Sequence, residues 1–118
     1  MRDFRALKVW VKSYRTALRI YGMTRNFPKW EQYGLSSQLR RASMSVSINI
    51  AEGCGRHTDL ELAHFLQIAM GSASEVECEL MFAGDLKYVS SEIQNELIAD
   101  VVEVKKMLAA FILKLRRT

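Results

Sequence analysis

The chain has 118 residues, of which 49% are apolar and 25% charged, with one proline and six glycines. That is enough for a full core but too few breakers for a many-turned β-fold, and no apolar run approaches the roughly 18 residues of a membrane span. The net charge of +4 is uneven: residues 1–57 hold 11 Lys/Arg against 3 Asp/Glu, a net of +8, whereas residues 58–118 hold 6 against 10, a net of −4. Such asymmetry suits either a polyanion-binding surface or electrostatic complementarity between subunits. Two cysteines, Cys54 and Cys78, make no disulfide framework, and the start MRDFRALK lacks an apolar signal core. Both features lead to the expectation of a reducing, cytoplasmic location without membrane attachment.

Four helices are predicted in chain order. The first runs from Phe4 to about Asn26. There Phe4, Leu7, Trp10, Val11, Tyr14, Leu18 and Tyr21 step by three and four and predict the core face. It stops at FPKWEQYG, residues 27–34, where Pro28 cannot continue a helix. The second covers about 35–54, with Leu35, Leu39, Ala42, Val46, Ile50 and Gly53 in register. Inside it, SMSVSIN (43–49) alternates like a strand. A helix with apolar residues on two sides accounts for the alternation, because Met44, Ile48 and Ala51 fall away from the first stripe. The serines can bond back to the preceding turn at little cost. GCG, residues 53–55, is expected to end this helix as a glycine stop.

Thr58-Asp59-Leu60-Glu61 has the capping-box spacing and opens a third helix, about 58–88. Its face is Leu62, Phe65, Leu66, Ala69, Ala73, Val76, Leu80 and Ala83. Ser91-Glu92-Ile93-Gln94 is a second such box and opens a fourth helix, about 91–116. Ile93, Leu97, Val101, Val104, Leu108, Phe111 and Leu115 form its near-heptad seam. Short connections make neighbours antiparallel, so the expected fold is all-α, one domain, an up-down-up-down four-helix bundle.

The sharpest surface feature is in the first helix. Arg5, Lys8, Lys12, Arg15 and Arg19 fall within an arc of about 80° and span about 21 Å, with no acid opposite them on that helix. A stripe of this length can follow a phosphate backbone. Arg25, Lys29, Arg40 and Arg41, around the first connection, would extend it. No base-reading motif is present, so binding is expected to address backbone or shape. Phe27, Trp30 and Tyr33 are expected to cap the end of the core. An exposed aromatic there would instead stack on an unpaired base. Oligomerisation is expected from the second apolar side, Met44, Ile48 and Ala51, and from Val9 and Ile20, which lie off the main stripe. Glu52, in a helix expected to be largely buried, should pair with an arginine, within the chain or across a subunit interface. The acids of the last two helices are expected to be solvated, or to face the basic stripe of a neighbouring subunit.

Catalytic and metal readings find little support. Cys54, His57, His64 and Cys78 match no zinc spacing, and His64 and Cys78 stand about 21 Å apart along one helix. Glu61-Leu62-Ala63-His64 is a single Glu-x-x-His, where di-iron bundles need two. No cofactor, metal site or catalytic residue is therefore expected.

The patterns FRxLKVW, FPxxExYGLxSQLRRA, SxxxNIAEGxGR and FLxIAxGSxxExExxL, which together span the chain from Phe4 onward, resemble the four-helix bundle proteins encoded by intervening sequences in 23S rRNA genes. They are similar also to the accessory variability protein of diversity-generating retroelements. The block from Ser37 to Ala42 and from Asn49 to Arg56 is the most specific part. Ser43 and Cys54 depart mildly from that pattern. The resemblance implies a ring-shaped homopentamer without enzymatic activity and with basic surfaces. It also implies RNA or DNA, or a reverse transcriptase with its RNA, as partner. The expected function is a non-catalytic oligomeric bundle that binds structured nucleic acid, or a nucleoprotein, through its first helix. The alternative is a protein-interaction adaptor whose basic and acidic halves serve only subunit assembly.

Overall fold

A computed structural model of the chain describes residues 2–117. Among these, four α-helices and two short 3-10 turns form an elongated body of 46 × 22 × 20 Å. The helices are α1 (Lys8–Thr24), α2 (Leu35–Cys54), α3 (Asp59–Asp85) and α4 (Ser91–Arg116). Cross-helix contacts run in opposite directions along every neighbouring pair. Ser13 meets Ser47 and Thr24 meets Arg40; Ser45 meets Ser72; Glu77 meets Lys105 while Leu80 meets Gln94. Lys12 and Arg2 of the first segment reach Asp100 and Phe111 of α4. The bundle is therefore antiparallel throughout, as the short connections require.

The first helix differs from its predicted form in two ways. It begins later: Phe4–Ala6 is a 3-10 turn capped by Asp3, and Leu7 is extended before α1 starts. It is also rotated: of the predicted stripe, Phe4, Leu7 and Trp10 pack against the core only in part, and smaller residues take the centre. The buried residues of α1 are Val9, Ser13, Thr16, Ala17, Ile20 and Thr24. Val9 and Ile20 thus belong to the core of the single chain and are not part of an outer apolar surface. Tyr14 and Leu18 of the bulky stripe are exposed instead, at 46% and 57%. The hydroxyls explain how the smaller face can be inside. Ser13, Thr16 and Thr24 each donate to a carbonyl three or four residues back, so none is left unsatisfied. Ser13 also meets Ser47 of α2 at 3.2 Å. Small side chains of both helices meet at this contact, and Tyr14, Leu18 and Tyr21 line the groove beside it.

The other three helices bury the stripes that their periodicity indicates, including Leu39, Val46 and Ile50 in α2, Leu66 and Leu80 in α3, and Leu97 and Leu108 in α4. Thr58 caps α3 by accepting from the Glu61 amide. The cap of α4 is Ser90 rather than Ser91, and it accepts from the Ile93 amide. Gln94 is consequently free to donate back to the Leu80 carbonyl, and its amide lies directly over Gly84. Lys87, at φ 63°, takes the left-handed conformation that turns the chain from α3 to α4. The Tyr88 hydroxyl donates to Glu31 at 2.8 Å and ties this turn to the first connection.

The helix α2 ends at Cys54 with Gly55 as its C-cap, as expected, but Gly53 has a further purpose. Gly55 is in ordinary right-handed conformation. Gly53 is buried, and a Cβ there would stand 2.8 Å from Leu62 Cδ1 and 2.9 Å from Phe65 Cβ. Its role is close approach of α2 to α3. Gly53→Ala should lower stability by about 1–2 kcal/mol, overpacking outweighing the gain in helix propensity. A thermal scan should show the midpoint falling by roughly 5 °C.

Candidate nucleic-acid interface

Four of the five stripe cations converge. Lys8, Lys12, Arg15 and Arg19 project from α1 into a groove against α4, of about 510 Å³, whose further walls include Val11, Thr16, Asp100 and Met107. Their spacing places one cation per turn along the groove. The acids of α4 answer part of this charge within the same chain. Lys12 pairs with Asp100 at 3.4 Å, and Arg19 pairs with Glu96 at 3.3 Å and Asp100 at 3.7 Å. The expectation that the stripe faces no acid held only along α1 itself; the next helix supplies them. Lys8 and Arg15 are exposed and have no ion pair among the described residues. Arg5 lies outside the groove and pairs with Asp3.

The four cations expected to extend the stripe are dispersed. Arg25 and Lys29 are exposed at the first connection. Arg40 is held by its Nε donating to Thr24 Oγ1 at 2.8 Å, with its guanidinium over the Tyr21 ring. Arg41 is exposed and borders a different groove, between α2 and α3, with Gln38, Ser45, Ser72 and Glu75. The aromatics of the connection also divide. Phe27 is buried against Tyr88, which fits a core cap, but Trp30 and Tyr33 are 79% and 90% exposed beside Lys29.

On the neighbouring side of α1, the displaced bulky stripe meets α2. Tyr14, Leu18, Tyr21, Met44 and Ile48 line an apolar groove of about 310 Å³, and Met44 and Ile48 are exposed at 41% and 53%. Ala51 is half-buried. Glu52, expected in a buried position, is exposed and pairs with Arg56 one turn later at 3.2 Å. Its surroundings give it no role in an apolar contact.

One acid was misplaced by periodicity alone. Glu79, grouped with solvated carboxylates, is 6% exposed, and neither of its oxygens has a hydrogen-bond partner. Burial, reinforced by the nearby Glu75 charge, raises its pKa from 4.5 to about 7. Its bearing on α3 is that of exposed Glu61, so helical periodicity carries no signal of its burial. Elsewhere the thiol of Cys54 is buried and its pKa is raised, while Cys78 is exposed. Among the described residues no three His, Cys, Asp or Glu side chains gather to hold a metal ion, and no helix is long and apolar enough to cross a membrane.

The chain matches the family model described as 23S rRNA-intervening sequence protein over residues 5–110. It is similar in structure to a protein of unknown function from the S23 ribosomal protein family of Bacteroides thetaiotaomicron. That similarity has a TM-score of 0.79 at 27% identity and covers 88% of this chain and 97% of that one. No curated protein matches it.

The buried carboxyl sets a pH dependence of stability. The unfolded chain loses the Glu79 proton near pH 4.5 and the folded chain only near pH 7. The folded state holds the extra proton between these values, so stability falls as pH rises from about 4.5 to 7 and then levels. Glu79→Gln, the neutral isostere, should abolish that fall. It should stabilise the chain at pH 8 by an amount on the order of 2–3 kcal/mol. Urea unfolding at pH 5 and pH 8 measures the difference.

Proposed function

Because the chain belongs to the family of 23S rRNA-intervening sequence proteins, we propose that it is a non-catalytic, self-associating bundle. In this reading it binds structured RNA or DNA through the α1–α4 groove. The observation that carries the reading is the convergence of Lys8, Lys12, Arg15 and Arg19 on one groove, at about one cation per helical turn. Phosphates entering it would displace counterions from Lys8 and Arg15, and would compete with Asp100 and Glu96 for Lys12 and Arg19. The acids make the groove weakly attractive at rest and set a threshold that an isolated phosphate does not pass. A run of phosphates, held in place by several cations at once, does. Exposed Trp30 and Tyr33 beside Lys29 supply faces on which unpaired bases can stack. Nothing in the groove discriminates base edges, so recognition is by backbone and shape.

Self-association draws on the apolar α1–α2 groove. Exposed Tyr14, Leu18, Met44 and Ile48 form a contiguous patch, and patches of this kind mark interaction sites. A homopentameric ring, and a nucleoprotein such as a reverse transcriptase with its RNA as partner, are the assemblies that the family likeness suggests for it. The same patch favours a second reading, an adaptor that assembles without holding nucleic acid.

Two experiments separate the readings. Fluorescence anisotropy with a structured RNA and a DNA duplex, from 50 to 200 mM salt, should show steeply salt-dependent binding. Lys8→Glu/Arg15→Glu should weaken it by about tenfold or more and reduce the logarithmic salt slope by about two. Asp100→Asn should strengthen it, because it releases Lys12 and Arg19. Binding that is absent, or indifferent to these changes, leaves the adaptor. Separately, Ile48→Glu should dissociate the assembly in light scattering while helical content by circular dichroism stays near wild type.

A further inference from the structure

The loop end where α2 starts and α3 finishes holds a carboxylate that the groove on α1 does not use. Glu79 is buried without a partner for either oxygen, which is rare for a polar group in a folded core. It lines a cleft of about 490 Å³, together with Glu31, Glu75, Gln38 and the apolar Phe82 and Leu86. Glu31 is engaged by Tyr88 and the Leu35 amide, and no cation of the chain lines the cleft. Of the residues that line the cleft with Glu79, Gln38, Phe82 and Leu86 are exposed. Acid beneath, apolar walls above and no internal cation is the complement of an arginine side chain.

The chain carries such an arginine at a matching height. Arg41 is exposed, has no ion pair or hydrogen bond among the described residues, and shares its arc of α2 with Met44 and Ile48. The bond between Ser45 and Ser72, 2.9 Å long, sets the level of α2 against α3. From there Arg41 lies about 6 Å toward the loop end, and Glu75 and Glu79 lie about 4.5 and 10.5 Å in the same direction. Copies related by rotation about an axis along the bundle keep these levels. The guanidinium of one copy then comes between the two carboxylates of the next, and its Ile48 comes level with exposed Ile68, which shares the Glu75 and Glu79 arc of α3.

We infer that a second copy of this chain lays its Met44–Ile48 strip along the exposed arc of α3 beside Ile68 and sets Arg41 between Glu75 and Glu79. The two surfaces differ, so the contact is heterologous: it closes a ring or extends a filament. The inference rests on the self-association proposed above and names its polar anchor. The Glu79 carboxyl acquires its missing partner only in the assembly.

The test is a sedimentation dilution series of the full chain as wild type, Glu79→Gln, Arg41→Gln and the double variant. Urea unfolding of Glu79→Gln is measured at a concentration where it is dissociated. Each single change should weaken self-association by about tenfold or more. The double variant should be little weaker than either single, because both remove one interaction. Glu79→Gln should at the same time resist urea better, which a loss of fold would not produce. Wild-type association in either single variant, with Ile48→Glu still disrupting it, would overturn this contact and leave self-association standing. A wild-type chain that stays monomeric at micromolar concentration would overturn both.

Discussion

The packing of α1 on α2 through small hydroxyl-bearing residues governs most of what this molecule presents to its surroundings. It is made by small residues, Ser13, Ala17 and Thr24 on one helix and Ser43 and Ser47 on the other. A hydroxyl buried without a partner would cost about 1–3 kcal/mol. Here Ser13, Thr16, Thr24 and Ser43 each bond to a carbonyl one turn back in the same helix, so these small polar residues behave as small apolar ones. Once this face of α1 is inside, Tyr14 and Leu18 are left outside and Tyr21 half-buried. The same rotation turns Lys8, Lys12, Arg15 and Arg19 toward α4. The apolar strip and the basic groove are two consequences of one packing choice.

The groove is charged but partly quenched. Surface ion pairs contribute little to stability, commonly less than about 1 kcal/mol each. The contacts of Lys12 and Arg19 with Asp100 and Glu96 therefore matter more for what can bind than for how firmly α4 is held. They orient long side chains along the groove and oppose isolated anions. A surface of this kind favours an extended polyanion, for which several cations are exchanged together, over a small one.

Charge on α3 is handled differently. Glu77 finds Lys105 of α4, whereas Glu79, two residues on, points to the core side and finds nothing. An orphan of this kind is stable in the neutral form, and that form persists close to neutral pH. The proposed contact between copies would give that carboxyl a cation from outside the chain.

Much of this architecture is already determined by the linear sequence. Helical periodicity identifies four helices, because stripes such as Leu97, Val101, Val104 and Leu108 bury at a spacing that no strand shares. Thr58 is recognisable as a cap from chemistry confined to one turn, and Met44 and Ile48 as an outer pair from their bearing on α2. The orientation of α1 was not legible, because it carries two stripes at helical spacing, and bulk favoured the one that packing leaves outside. Only the tertiary structure decided between them, through the contact of Ser13 with Ser47 and its neighbours, and with that choice Val9 and Ile20 went to the core. The acids opposite Lys12 and Arg19 come from a helix some 80 residues away in the chain, and the burial of Glu79 depends on neighbours in other elements. Periodicity reports which residues share a face of one helix; which face is buried, and what stands across from it, is set by the close packing of all four.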